Sequence, residues 1–556
     1  MVRAELQGLD PSRASIVERT PIVDIHTHTF NTRYLPLEGI LLGKRDAFPP
    51  VTWLISDRCA SVLAQALVDR TELAPAAGMT AVEPKKRGRM LHSTVGVGPV
   101  CKIFLKLLNK AATAGVWDED AAPQVQMQRA EDVAERMNFQ ERIAIRAAAQ
   151  MMGMADSIKT PDSADGLKAA VRFLWMLTQN DAEMTKLFRS QYSGVPMHGR
   201  PLMVSHMMDL APVYDQEPDG KALLRFQSQQ ILRMETYQNG RDSGLIYFVA
   251  YNPYRDHWSG GSSGDALREV QSAVRSHGAW GVKVYPPSGY RPAGNEIRPR
   301  AFALLSRRPG MQWDARYASF EAPRNEALDR RLEELLLWCI EEDVPVFVHS
   351  GTGEFEARKG YGVYHSNPRF WRQFLENHPE PDGSPCRLRL CFGHAGGNDF
   401  WYGGEEYLEW GREVYDLCRE FPNVYCEITT HGELTDPDRQ AYFVDHLASL
   451  FSEPAGKRIN SHRYPYRFSF SGKLVYGTDW YLPEAAERRE ILLATQKAFL
   501  HESLRPFYSD YFAGNALRYL NIRARLQDRN KPVTPTVRNR LSEILSASRN
   551  QRGHSQ

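Results

Sequence analysis

The residues best suited to chemistry in this chain stand at the ends of short apolar runs. Pro21–Phe30 reads PIVDIHTHTF, and Ile22, Val23 and Ile25 make a run of the kind that forms a buried parallel strand. The run breaks into His26-Thr27-His28. Side chains alternate along a strand, so His26 and His28 point the same way, and two neighbouring imidazoles can hold one divalent metal. Alone, an HxH motif is as readily a pair of satisfied surface histidines. Other runs end in the same fashion, however: WGVKVY carries Lys283, PVFVH ends in His349, RLCFGH in His394 and KLVYGTD in Asp479. Each has a bland explanation by itself, as a capping histidine, a snorkelling lysine or an aspartate that N-caps a helix. Four histidines and an aspartate at successive run ends are hard to produce from separate bland causes. Nitrogen and carboxylate donors of this kind suit Zn²⁺, with Mn²⁺ or Fe²⁺ as alternatives.

The elements that must position these residues follow a regular rhythm after Pro201. PLMVSHM (201–207) and LIYFVAY (245–251) read as strands. Helical spacing in Ala266–Ser276 leads into the run at 280–285, and Glu326–Glu342 leads into 345–349. Phe370–Asn377 precedes 389–394, Glu405–Glu420 precedes VYCEIT (424–429), Gln440–Phe451 precedes 473–479, and Ala485–Leu500 closes the series. With the opening run this predicts eight strands alternating with helices, hence an α/β fold, a (β/α)8 TIM barrel. Active sites of such barrels lie at the C-terminal strand ends, where the candidate residues fall.

Residues 33–195 lack this rhythm. Ser56–Leu67, Lys102–Ala112, Arg129–Gln150, Leu167–Gln179 and Ala182–Gln191 all carry apolar residues at helical spacing, which predicts a large helical insertion after strand one, a cap over the pocket or a dimerisation surface. Pro84–Arg89 is a basic turn. The expected organisation is 1–32 (N-terminal segment and first strand), 33–195 (insertion), 196–528 (rest of the barrel) and 529–556, a polar tail expected to end in disorder.

Composition sets limits on function. The chain has 556 residues, 42% hydrophobic and 24% charged, as in a soluble globular protein. A net charge of +2 gives no sign of a polyanionic partner, so nucleic acid is not indicated. The seven cysteines lack CxxC spacing and several sit in apolar runs, so they read as reduced core residues of a cytoplasmic protein. The N-terminus has no apolar core of a signal peptide and no stretch is long enough to span a membrane.

HTH after strand one, VFVHSG on five, FGHAGG on six and YGTDW on eight resemble the amidohydrolase superfamily, and FAGNALRYLNI (512–522) is similar to the segment that ends its amidohydrolase-related branch. The resemblance covers Thr20–Arg33 and about Pro201–Arg523. It implies that His26, His28, His349 and Asp479 bind one metal. It also implies that Asp479 shuttles a proton and that His394 meets the substrate carbonyl or positions the water. In two-metal relatives His394 binds a second ion and the strand-four lysine, here Lys283, is carboxylated; in one-metal relatives an unmodified lysine meets substrate. One metal is the preferred arrangement.

Substrate contacts are expected from Lys283, Tyr290 and Arg291, the last two in the loop PPSGYRPAGNEIRPR, where a guanidinium can clamp a carboxylate or merely tie its loop down. Gly351–Tyr364 suits a lid. Glu427 and Thr429 stand where they can line the pocket, whereas His206, His257, His365 and His431 read as structural. The function expected first is hydrolysis of a C–N or C–O bond in a small carbonyl compound, with zinc. A non-oxidative decarboxylase on the same scaffold is the alternative, followed by a non-catalytic scaffold that binds a partner through its helical insertion; a small-molecule substrate and a homo-oligomer are the partners expected.

Overall fold

A computed structural model describes residues 11–28, 99–116, 123–142, 192–209, 245–258, 265–295, 326–352, 361–429, 431–459, 461–479, 488–528 and 530–552, with scattered positions between 121 and 190. Among these are eight parallel strands: β1 (Val23–Thr27), β2 (Leu202–His206), β3 (Leu245–Tyr251), β4 (Gly281–Val284), β5 (Val346–His349), β6 (Leu390–Gly393), β7 (Val424–Glu427) and β8 (Leu474–Val475). They pair in sequence order. β8 returns to β1 through Ile25 N to Tyr476 O at 3.0 Å and Thr478 N to His26 O at 3.3 Å, which brings the sheet round into a barrel. The expected TIM barrel is the fold found.

The strands form where the apolar runs predict because both faces of each are buried. Helices Asp265–Ser276, Glu326–Glu341, Arg369–Asn377, Leu408–Glu420 and Pro437–Ser452 each lie between consecutive strands of β3 to β8. The segment that closes the family resemblance seals the bottom of the barrel. Trp280, just before β4, donates from Nε1 to Leu520 O at 2.8 Å, and Tyr519 donates to Val346 O at 2.7 Å, at the start of β5. Asn515 Nδ2 holds Leu474 O, the first residue of β8, at 2.6 Å.

Residues 553–556, where the chain was expected to end in disorder, lie outside the described residues. The polar tail before them holds an element that its composition does not announce: Pro535–Arg552 is a helix whose Val537, Leu541 and Ile544 are buried in the same core cluster as Phe248, Phe347 and Tyr519. Its apolar residues lie four and three apart on one narrow stripe, which an otherwise polar composition hides.

The chain divides into two compact units, one of Met1–Thr27, Gly194–Thr478 and Glu490–Gln556, the other of His28–Ser193 with Asp479–Arg489. In the second unit, Pro99–Thr113 and Pro123–Glu135 are helices, and the described residues of 167–176 and 184–190 are helical as expected. Arg129–Gln150 is not one helix. The helix stops at Glu135, and Asn138 with Glu141 forms a capping box, Glu141 N to Asn138 Oδ1 at 3.0 Å and Asn138 N to Glu141 Oε2 at 2.9 Å, that begins another. Ser56–Leu67 and Pro84–Arg89 lie outside the described residues. Cys339, Cys386, Cys391, Cys418 and Cys426 are buried and free, and no described helix is long and apolar enough to cross a membrane.

Candidate active site

The barrel mouth gathers the expected histidines. His26, His349 and His394 are all buried, with ring centroids 4.4 Å apart for His349 and His394 and 5.2 Å for His26 and His394. His26 and His394 can each place a ring nitrogen within 4.8 Å of the other. Backbone constraints put them there. β6 stops at Gly393, so His394 lies one residue past the strand, in a tight turn where its φ is +64° and that of Ala395 is +40°. Left-handed backbone at non-glycine residues costs of order 1–3 kcal/mol and persists where the surroundings impose it. Gly351 leaves the approach open: a Cβ there would stand 3.2 Å from His349 Nε2.

Two buried carboxylates hold this array. Asp24 on β1 accepts from Thr478 N at 3.1 Å and Thr478 Oγ1 at 2.6 Å, which pins the end of β8 beside β1. Glu427 at the end of β7 accepts from His26 Nδ1 at 2.6 Å and from His394 N at 3.2 Å. His394 Nδ1 is hydrogen-bonded to the Thr429 hydroxyl. His206 Nε2 donates to Ile25 O at 2.7 Å, and its ring lies 4.2 Å from that of Phe347. Sequence reasoning placed Glu427 and Thr429 only at the pocket wall, and Asp24 not at all. A charged residue inside an apolar strand was the available signal for Asp24.

In the second unit, His28 Nε2 lies 3.2 Å from Asp479 Oδ1, both residues being buried. Asp479 also has left-handed backbone, with φ of +48°. Thus both members of this pair are chemically fit to be ligands, as are the barrel histidines. Imidazole nitrogen and carboxylate oxygen are each donor types that suit zinc, manganese or iron.

The residues expected to meet substrate divide. Lys283 is buried on β4 with Nζ 4.4 Å from the centre of the Phe347 ring. Tyr290 spends its hydroxyl on backbone, donating to Tyr251 O and accepting from Tyr285 N, both at 3.0 Å. Arg291 donates from Nε to Gly294 O at 2.9 Å and packs on the Phe370 and Tyr364 rings at 4.1 and 4.9 Å. These two fasten the loop after β4. Burial, with the Arg291 charge, pushes His365 down to about 3, so it stays neutral. His431 bridges Tyr402 OH (2.5 Å) and Tyr511 OH (2.8 Å). Most of the Gly351–Tyr364 loop lies outside the described residues.

Comparison with known proteins agrees with this architecture. The amidohydrolase family model matches residues 257–522, a span that holds β4 to β8 and omits His26 and His28. No curated protein matches in sequence. A solved structure of a probable 2-pyrone-4,6-dicarboxylic acid hydrolase from Acinetobacter baumannii, with citric acid bound, is similar at 11% identity over 60% of this chain and 88% of that chain. Its TM-score is 0.30.

Proposed function

We propose, from the match of residues 257–522 to the amidohydrolase family model, that this chain is a metal-dependent hydrolase acting on a C–N or C–O bond of a small carbonyl compound. The observation that carries this reading is the packing of His26, His349 and His394 at the strand ends, with Glu427 tied to two of them. On this reading His26, His28, His349 and Asp479 hold one divalent ion, zinc first, with manganese or iron as alternatives. When bound, such an ion supplies Lewis acidity and a nucleophile at neutral pH.

The chain's own residues supply the rest. The Asp479 carboxylate takes the proton that the attacking water gives up and returns it to the leaving nitrogen or oxygen. A Thr429 hydroxyl that donates to His394 Nδ1 leaves the ring proton on Nε2, so His394 donates to the substrate carbonyl oxygen. Lys283 meets a substrate oxygen as an unmodified ammonium, while Tyr290 and Arg291 shape the loop beside it. Burial of the ring cluster makes each of these charges count for more than in water.

The test is a panel of esters, lactones, amides, and unsaturated or aromatic carboxylates offered to the zinc-loaded protein. Hydrolysis appears as loss of the ester or amide carbonyl without gas release. Carbon dioxide evolution replaces hydrolase by decarboxylase on the same residues. No turnover on any class, with the ion bound, overturns the enzymatic reading in favour of a binding scaffold. Lys283→Ala should keep the full metal content and raise KM; loss of metal in that variant would mean a carboxylated bridge and two ions.

A further inference from the structure

We propose that Glu427 is the positioning residue of the barrel mouth. Resting on the metal-dependent reading above, the inference is that Glu427 fixes the tautomer and angle of His26 so that Nε2 is the atom it presents to a divalent ion. Glu427 is fully buried at the end of β7, and one oxygen, Oε1, does two things. It accepts from the His26 ring at Nδ1, 2.6 Å away, and from the backbone of His394, 3.2 Å away. A carboxylate is an acceptor, so the shared proton belongs to Nδ1 and the lone pair of the imidazole lies on Nε2. The same oxygen thereby couples β1 to the strained turn after β6, where His394 and Ala395 have positive φ.

The seat for this carboxylate is built into the backbone. A Cβ on Gly477 would stand 2.8 Å from Glu427 Oε2 and 3.0 Å from His26 Cβ, so only glycine at this position admits the carboxylate behind the ring. The far side of the His26 ring is fixed too, by Phe347 at 4.6 Å and by His206, itself tied to Ile25 O. A buried carboxylate placed against an imidazole is the arrangement that raises ligand basicity and holds ring orientation at metal sites.

Two measurements test this. In the metal-free wild-type protein labelled with ¹⁵N-histidine, long-range proton–nitrogen correlation reports which ring nitrogen carries the proton; the His26 signals are identified by their loss in His26→Gln. The expected result is protonated Nδ1, and a proton on Nε2 overturns the proposal whether or not the protein takes up metal. Glu427→Gln keeps the shape and one acceptor oxygen but removes the charge. Zinc affinity, read by competition with a chromogenic chelator, should fall by about 10–100-fold, with the metal-free melting temperature close to wild type. Unchanged affinity, or a loss that only follows unfolding of the metal-free protein, overturns it. If wild type binds no zinc at all, the hydrolase reading fails while the tautomer still decides the role of Glu427.

Discussion

Among the described residues of the barrel unit, a cluster at the mouth and another on the outside each bring histidine and carboxylates together, and they are built on opposite principles. At the mouth, the buried His26 and His349 rings each pack on His394, His26 also packs on Phe347, and the carboxylate Glu427 stands against His26. On the outside, Glu413 and Asp416 of the Leu408–Glu420 helix and His462 in the segment after Pro437–Ser452 also offer ligand atoms within 4.8 Å of one another. There a cation is already supplied. Arg372 pairs with Glu413 at 2.5 Å, Glu420 at 2.6 Å and Glu376 at 3.3 Å, and Arg412 pairs with Asp416 at 3.0 Å. His462 completes the network through Glu420 at 2.7 Å. Closeness of donor atoms is therefore a poor sign of a metal site. Arginine against the acids marks a structural network, whereas at the mouth the imidazoles meet one another edge to face.

The comparison can be sharpened by variants on each side, and the largest effect is expected at the mouth. Asp479→Asn keeps an oxygen donor but cannot take a proton, so turnover should fall by about 10²–10⁴-fold while some metal stays bound. His394→Ala should lose turnover with metal content unchanged. Steady-state kinetics beside elemental analysis separates the two losses, and near wild-type turnover in Asp479→Asn would end the proposed proton shuttle.

The outer network should answer in stability alone. Arg372→Ala leaves Glu420, whose side chain is fully buried, and the partly buried Glu413 without their guanidinium. Breaking such a pair costs roughly 3 kcal/mol or more, read as a lower denaturation midpoint, with bound metal unaltered. Metal loss in this variant without unfolding would mean that the two regions are not distinct.

A smaller effect follows from Glu420. Burial, the largest influence, pushes its carboxyl up to about 7 despite the Arg372 charge. The folded chain then holds a proton that the unfolded chain releases near 4.5, so this contribution to stability is complete below about 4.5 and fades as pH rises through 7. Glu420→Gln should flatten that stretch of the stability curve by about 2 kcal/mol. Denaturant midpoints at pH 5 and pH 7.5 would show it, and parallel curves for the two proteins would refute it.

Most of the barrel was legible because strand and chemistry share one signal. An apolar run that stops at a polar residue gives both the strand and its active end, and β3 falls on the seven residues read from the sequence. β8 is only two residues long because the chain leaves the ladder for the Asp24 clamp before reaching Asp479. The roles of Asp24 and Glu427 were not legible, since their partners are hundreds of residues away: Thr478 for one, His26 for the other. Tyr290 and Arg291 illustrate the same limit. Their residue types suit substrate, yet their polar atoms reach backbone, which depends on how one loop folds back on itself. The Pro535–Arg552 helix was hidden by composition, its three buried apolar residues scattered among arginines and serines.

Metal stoichiometry tests the central claim most directly. After loading with zinc and exhaustive dialysis, elemental analysis of wild type should give about one ion per chain. His26→Ala combined with His28→Ala should give none, because removing two ligands leaves too few donors to hold the ion. Glu413→Gln combined with His462→Ala should keep the wild-type content. Unchanged metal in the His26/His28 double variant, or metal lost from the Glu413/His462 variant instead, would contradict the assignment of the ion to the barrel mouth.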